Sequence, residues 1–344
     1  MKSKVKRFGV LTGGGDCPGL NAVLVGAVRK AISLNHKIVG IKRGWAGLLE
    51  KDVMPLDRDA VSGILHRGGT IIRTSRTNPC KSEEDIRKVK KSYEELELDG
   101  LICVGGDDTL GAAYTLFQQG LNTIGVPKTI DNDLSGTDRT FGFDTAVNIA
   151  TEAIDRLHTT AESHNRVLVV ELMGRHAGWI ALHAGLAGGA DVILIPEVET
   201  TMEEVCDIIK ERHNRGRDFS IVAVAEGATL SGDFVSQEVT RDEFGHVRLG
   251  GLGKIVADEI QERTGYETRT VVLGHLQRGG TPTAYDRYLG LWFGAKAVEL
   301  ADQGEFGKMV SLRGTEFVAV DLKEVKTLRT VDPKQYEAAR IFFG

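Results

Sequence analysis

The segment Pro127-Lys128-Thr129-Ile130-Asp131-Asn132-Asp133 places two carboxylates two positions apart and a lysine three positions before the first of them. It follows the apolar run Asn122 to Val126, which reads as a buried strand. Loops just past strand ends are where open α/β sheets bind ligands. A second apolar run, Leu101 to Val104, leads straight into Gly105-Gly106-Asp107-Asp108-Thr109. Such loops suit metal-assisted transfer of an anionic group. A carboxylate holds a hard cation or takes a proton, and a lysine meets an anion. A third loop, Thr12-Gly13-Gly14-Gly15-Asp16-Cys17-Pro18-Gly19, has consecutive glycines that let backbone N–H groups turn towards an anion.

Each loop alone has a plainer reading. Asp107 fits a helix N-cap, residues 128–133 a polar turn closed by Asx hydrogen bonds, and Gly13 to Gly15 a tight turn. Three at successive strand ends point to a site. Pro18 occupies the third glycine position of a GxGxxG pattern, which argues against a dinucleotide-binding dehydrogenase. Basic residues complete the set. Arg73 and Arg76 follow Gly68-Gly69-Thr70, Arg166 starts a strand, and Arg175 follows Met173-Gly174 at a strand end. Arg269 lies in a strand that leads to Gly274-His275-Leu276-Gln277-Arg278. A guanidinium reads phosphate bidentately, although a lone arginine or histidine is more often a surface or structural residue.

The elements that must hold these loops alternate strand and amphipathic helix, the pattern of a parallel α/β sheet. Strands are expected at Phe8–Leu11, Lys37–Ile41, Leu101–Val104, Thr123–Val126, Val167–Leu172, Val192–Ile195, Ser220–Ala225 and Thr268–Leu273. Leu20, Val23, Leu24, Ala27, Val28 and Ile32 recur at helical spacing. Ser82-Glu83-Glu84-Asp85 reads as a capping box opening a charged surface helix. A long helix from about Phe143 to Glu162 is a candidate crossing between two sheets.

At 344 residues the chain suits one large or two medium domains, and 41% hydrophobic with 26% charged residues is a soluble globular composition. A net charge of −5 does not suggest a nucleic-acid groove. The basic start Met1 to Arg7 leads into a strand and no signal-peptide core, and no run of about eighteen apolar residues exists to cross a membrane. Four scattered cysteines without a CxxC pair imply a reducing, cytoplasmic setting.

Taken in order, GGDCPG, GGT…R, GGDD, TIDND, MGR, ETR and GHLQRGG resemble the phosphofructokinase family from about Arg7 to Leu300. The resemblance implies two α/β sandwich domains with mostly parallel sheets and an active site in the interdomain cleft. The larger, phosphoryl-donor domain is expected over 1–142 plus about 277–330, the smaller sugar-phosphate domain over 143–276, and a tail over 331–344. It implies Asp131 as the base for the sugar 1-hydroxyl, with Asp133 close by and Thr129 touching the sugar phosphate. Asp107 is implied as the Mg²⁺ ligand, Gly14, Asp108 and Thr109 as donor-loop residues, and Arg76 as the stabiliser of the transferring phosphoryl group. Met173, Gly174, Arg175, Glu226, His275 and Arg278 resemble fructose 6-phosphate contacts. Arg166 and Arg269 resemble phosphate ligands that reach in from a neighbouring subunit, which implies a homodimer or homotetramer with shared sites.

Two positions depart from the ATP-using branch of that family, which has glycine at both. A carboxylate at Asp108 fills the space of a nucleotide's α-phosphate and repels it. Lys128 adds a positive charge beside the transferred group. GGDD with PKTIDND resembles the diphosphate-dependent members. Because some members pair the lysine with glycine and use ATP, Asp108 is the sharper discriminator. In the first helix, Arg29 matches one arginine of the family's usual effector site and Val25 stands at the other, which weakens the expectation of that control. The alternatives left open are an ATP-dependent enzyme, a non-catalytic sugar-phosphate sensor, and sedoheptulose 7-phosphate as a further acceptor.

Replacing Asp108 by glycine tests the discriminator. Asp108→Gly removes a charge and opens room, so kcat/KM for ATP should rise. A loss of about 1.4 kcal/mol of repulsion corresponds to tenfold. A folded variant with no gain for ATP assigns donor choice to another residue.

Overall fold

The computed structural model describes residues 5–231 and 250–344, so the basic start Met1 to Lys4 lies outside the described residues. The chain opens with β1 (Arg7–Thr12), α1 (Leu20–Ser33), β2 (Lys37–Ile41), α2 (Trp45–Glu50) and β3 (Val53–Leu56). Next come α3 (Glu83–Glu95), β4 (Gly100–Gly105), α4 (Asp107–Gln118), β5 (Thr123–Thr129), β6 (Phe141–Gly142) and α5 (Phe143–His164). The middle holds β7 (Val167–Leu172), α6 (Trp179–Ala187), β8 (Val192–Leu194), β9 (Thr200–Thr201), α7 (Met202–Asn214), β10 (Ser220–Ala225) and β11 (Leu230–Ser231). Then follow α8 (Leu252–Thr264), β12 (Thr268–Val272), α9 (Ala284–Gln303), β13 (Lys308–Arg313), β14 (Glu316–Asp321) and α10 (Pro333–Ala339).

Two compact units form. One takes residues 1–129, 134–144 and 278–328, and the other 130–133, 145–277 and 329–344. This differs from the expected division in two respects. The short loop 130–133 belongs with the second unit, and the last residues are part of that unit and no separate tail. Sequence periodicity assigns neither piece: residues 130–133 are too short for a period, and the few buried apolar residues of the C-terminal segment, Val331, Tyr336 and Ala339, do not by themselves name the sheet they pack against.

The first unit is built on a sheet in the order β14-β13-β5-β4-β1-β2-β3, with β6 added to β5. β5, β4, β1 and β2 pair in parallel, while β3 and β14 are antiparallel edges. β4 and β5 are buried along their whole length, as strands covered on both faces must be. On one face Trp45, Leu48, Ile86, Val89, Leu110 and Leu116 pack with Leu11, Ile41, Leu101 and Cys103. Ser82 caps α3, its Oγ accepting the Asp85 N–H at 3.1 Å, as the capping-box pattern predicts.

Helices α1 and α9 touch through glycine. A Cβ on Gly294 would lie 2.1 Å from the Val23 carbonyl oxygen, and one on Gly26 would lie 2.0 Å from that of Leu291. The second unit carries a four-stranded parallel sheet, β12-β7-β10-β8. Met202, Val205, Ile209, Val256 and Ile260 of α7 and α8 pack with Val167, Val169, Val222 and Val224. The C-terminal segment closes on this unit: Tyr336 Oη donates to the Ile193 carbonyl at 2.5 Å, and Gly344 N–H to that of Asp191 at 3.0 Å. All four cysteines are free thiols. No described helix is long and apolar enough to cross a membrane.

Two alanine substitutions separate helix propensity from packing. Gly111, inside α4, has open space around it, so Gly111→Ala should raise stability by about 0.5–1 kcal/mol. Gly294→Ala gains the same propensity but forces backbone apart, which costs about 1–3 kcal/mol or more. Urea midpoints should therefore move in opposite directions. Stabilisation by both would mean that the α1–α9 seam is slack.

Candidate functional site

The first group of site residues gathers at the C-terminal ends of β1, β4 and β5, three neighbours in one sheet. The Gly13 N–H donates to the Val104 carbonyl at 2.9 Å, which ties the glycine loop to the end of β4. A Cβ on Gly13 would lie 2.5 Å from Thr109 Oγ1, so only glycine lets the loop lie across the start of α4. Gly14 has φ +79°; its N–H donates to the Ser75 carbonyl at 2.9 Å, and its carbonyl accepts Thr74 Oγ1 at 2.7 Å. These two bonds bring the stretch carrying Arg76 against the glycine loop. Thr109 is buried against Gly13 and Gly105, so its side chain shapes the loop.

Lys128 and Thr129 are not in a loop, as the end of the apolar run at Val126 suggests. They continue β5, because Phe141 and Gly142 pair with them in parallel as β6. That pairing joins residues too far apart for a local pattern to reveal. Lys128 is 3% exposed, and its Nζ donates to the Gly15 carbonyl at 2.7 Å. Arg278 reaches the same loop, donating from Nη1 to the Asp16 carbonyl at 3.3 Å. Behind them Cys17 Sγ donates to the Phe141 carbonyl at 3.2 Å. Burial pushes that thiol well above its ordinary range, which makes it an inert prop.

Asp107 and Asp108 are the first two residues of α4, and the cap position is Gly106, with no side-chain cap bond. The N-cap reading of Asp107 is thereby replaced. Both half-buried carboxylates sit at the positive end of a helix. Among the described residues no group of three or more His, Cys, Asp or Glu could cage a metal ion. Mg²⁺ does not require one, since it is usually held by one or two carboxylates together with substrate phosphates and waters. Asp16 Oδ1 is buried without a hydrogen-bond partner, a state that suits a nearby cation. Asp107, a half-buried carboxylate at the start of α4, is thus compatible with Mg²⁺ held together with a substrate phosphate.

Asp131, Asn132 and Asp133 are all buried, and Asn132 takes a left-handed conformation at φ +53°. In the same unit, β7 ends in Met173-Gly174-Arg175. Gly174 has φ +148°, and a Cβ there would lie 2.5 Å from the Ala177 carbonyl oxygen. Glu226 Oε1 accepts the N–H groups of Gly174 at 3.4 Å and Arg175 at 3.1 Å, so this carboxylate also organises the loop. His275 is exposed on the short 3₁₀ turn Gly274–Arg278.

Arg166 and Arg269 are not brought to this end. They lie at the opposite, N-terminal ends of β7 and β12, where Arg269 pairs in register with Leu168. Six strand residues at about 3.3 Å each put them roughly 20 Å along the sheet from Met173. Both guanidinium groups meet Glu267 Oε1, at 2.8 Å from Arg166 and 2.6 Å from Arg269. Arg166 in turn holds the Glu267 carboxyl below its usual range.

Two acids and one arginine escaped the motif reading: Glu171, Glu197 and Arg329. Glu171 had a signal, a lone charge inside the apolar strand Val167–Leu172. Its buried carboxylate accepts the N–H groups of Gly251 and Gly253 at 2.8–3.0 Å and so caps α8. Glu197 and Arg329 lie in irregular segments and carried no signal.

The N–H groups of Gly13 and Gly14, expected to turn towards an anion, are instead donated to the Val104 and Ser75 carbonyls. That leaves the Lys128 ammonium, at the Gly15 carbonyl, as a cation able to meet a small anion such as diphosphate. A charge-assisted hydrogen bond of this kind contributes about 1.5–3 kcal/mol. Lys128→Met should accordingly weaken diphosphate binding about 10–100-fold by calorimetry. Unchanged affinity would remove Lys128 from the anion site.

Known proteins were compared with the chain. The family profile described as Phosphofructokinase matches residues 7–301. The pyrophosphate–fructose 6-phosphate 1-phosphotransferase of Streptomyces coelicolor is 57% identical over 342 residues, covering 98% of this chain and 100% of that protein. An ATP-dependent 6-phosphofructokinase 3 of the same organism is 51% identical, covering 97% and 98%. The solved phosphofructokinase of Saccharomyces cerevisiae superposes with a TM-score of 0.81 at 32% identity, covering 93% of this chain and 45% of that one. The chain belongs to the phosphofructokinase family.

Proposed function

We propose that this protein transfers a phosphoryl group from diphosphate to the 1-hydroxyl of D-fructose 6-phosphate, reversibly, giving fructose 1,6-bisphosphate and phosphate. The observation that carries the reading is Lys128 Nζ on the Gly15 carbonyl, with Asp108 in the first turn of α4. The ammonium serves a small donor held by the glycine loop, and the carboxylate opposes the α-phosphate of a nucleotide. The 57% identical relative named for pyrophosphate supports this, while the 51% identical ATP-dependent relative makes ATP the competing donor. A coupled assay run in parallel with both donors decides, and a higher kcat/KM for ATP would overturn the assignment.

In the transfer, the sugar O1 forms a bond to phosphorus as the bridging P–O bond of diphosphate breaks and phosphate departs. Asp131 takes the hydroxyl proton. Lys128, Arg76 and the N-terminus of α4 meet charge on the transferring group, so catalysis rests on positioning and electrostatics. Gly14, Asp108 and Thr109 shape the donor loop. Asp107 would hold Mg²⁺, which supplies charge neutralisation on the phosphate oxygens. Thr129, Asp133, Met173, Gly174, Arg175, Glu226, His275 and Arg278 are assigned to the sugar phosphate.

Arg166 and Arg269 are assigned to the site of a neighbouring subunit in a homodimer or homotetramer. β12 is an edge strand, and Val272 and Leu276 beyond Arg269 are exposed apolar side chains, which supports a subunit contact there. The cellular setting is taken to be cytoplasmic, consistent with four free thiols.

Asp131→Asn should bind fructose 6-phosphate normally but lower kcat by about 10²–10⁴, the usual worth of a general base. Near-wild-type turnover would move the base elsewhere, with Asp133 next in line. Mixing inactive Arg166→Ala and inactive Asp131→Asn subunits should regenerate activity, since one hybrid site is intact. No recovery in verified mixed oligomers means that each site is built from one chain.

A further inference from the structure

We propose that Arg329 is a positioning residue for this reaction, clamping the Asp131–Asp133 loop to the start of α6. The inference rests on the reading of Asp131 as the base. Arg329 donates its own N–H to the Asp133 carbonyl at 2.7 Å and Nη1 to the Asn132 carbonyl at 3.1 Å. Its guanidinium carbon lies 4.4 Å from the centre of the Trp179 ring. Trp179 Nε1 donates back to the Arg329 carbonyl at 3.1 Å. Two residues on, the Val331 N–H donates to Glu197 Oε1 at 2.8 Å. The same carboxylate accepts the N–H of Gly178, the cap residue of α6, at 2.9 and 3.1 Å. All of these residues belong to the second unit.

The chemistry gives the clamp a purpose. On its N-terminal side, the loop leaves a paired strand at Thr129. On its C-terminal side, Asn132 adopts a left-handed conformation, which exposes a carbonyl that must be satisfied where the chain is buried. A guanidinium supplies that bond with charge assistance and stays flat on an aromatic face, which an ammonium cannot do. Trp179 also opens the helix that follows Met173-Gly174-Arg175. One residue, through its main chain and its guanidinium, thus fixes the loop of the base relative to the end of the sugar-phosphate loop. Arg329 lies beyond the matched family segment 7–301.

Displacement of a reacting group by about 1 Å can cost on the order of 10² in rate. Arg329→Met, which keeps the length and the main-chain bonds but loses the Nη1 bond to Asn132 and the guanidinium over Trp179, should lower kcat roughly 10–100-fold. KM for diphosphate should stay within about twofold, because the glycine loop and Lys128 do not depend on Arg329. Arg329→Lys should recover part of kcat through the Asn132 carbonyl. Hydrogen exchange at residues 130–134 should quicken in Arg329→Met at an unchanged melting temperature.

A folded Arg329→Met enzyme with wild-type kcat, or with unaltered exchange in that loop, overturns the proposal. Should Arg329→Met not fold, Arg329→Lys and Trp179→Phe are judged by the same kcat-against-KM split, and wild-type kcat in both overturns it. If the wild-type protein is inactive with diphosphate, the donor assignment has failed. The comparison of Arg329 variants is then read with ATP, together with the exchange data, which need no turnover.

Discussion

Parallel backbone pairing of β1, β4 and β5 is the constraint on which the loops at their C-terminal ends depend. Register sets Thr12 opposite Val104 and Val104 opposite Val126, so β1 and β4 end near that level while β5 runs on, paired with β6, and carries Lys128 past them. From there the glycine loop, the start of α4 and the Lys128 side chain can interact directly. A one-residue slip would turn alternate side chains to the opposite face and remove Lys128 Nζ from the Gly15 carbonyl. The near-continuous apolar runs of β4 and β5 guard against that slip only together with the helices on both faces.

Glycine then sets how closely elements approach. Gly13 and Gly105 leave room for the buried Thr109 side chain, and Gly26 and Gly294 let α1 and α9 meet backbone to backbone. These positions have different physical reasons. The first pair shapes a site, and the second packs a core. Both would be invisible to a count of glycines.

Buried or half-buried carboxylates do a second kind of work in the other unit. Glu171 and Glu197 accept N–H groups at the starts of α8 and α6, and Glu226 accepts those of Gly174 and Arg175. Each acid satisfies donors that a helix start or a tight turn leaves unpaired, and an anion there is also favoured by the helix dipole. The Met173-Gly174-Arg175 loop is therefore held by charge as well as by packing. Arg329 completes the arrangement from the far end of the chain.

Local pattern was sufficient for much of this protein. Apolar runs located strands such as Lys37–Ile41, Val167–Leu172 and Ser220–Ala225, and the Ser82 cap was readable, because periodicity and capping are encoded within a few residues. The motif order was enough for the family. What only the tertiary structure decided are relations across long sequence distances. Lys128 became part of a strand because Phe141 pairs with it. Asp107 became the first helical residue because Gly106 took the cap. Arg166 and Arg269 fell at the sheet end remote from Met173. The C-terminal segment, whose few buried apolar residues do not name their partner, became the support of residues 132–133. Side-chain type and spacing carry chemistry and local conformation, whereas strand order and long-range hydrogen bonds arise only when burial brings distant residues together.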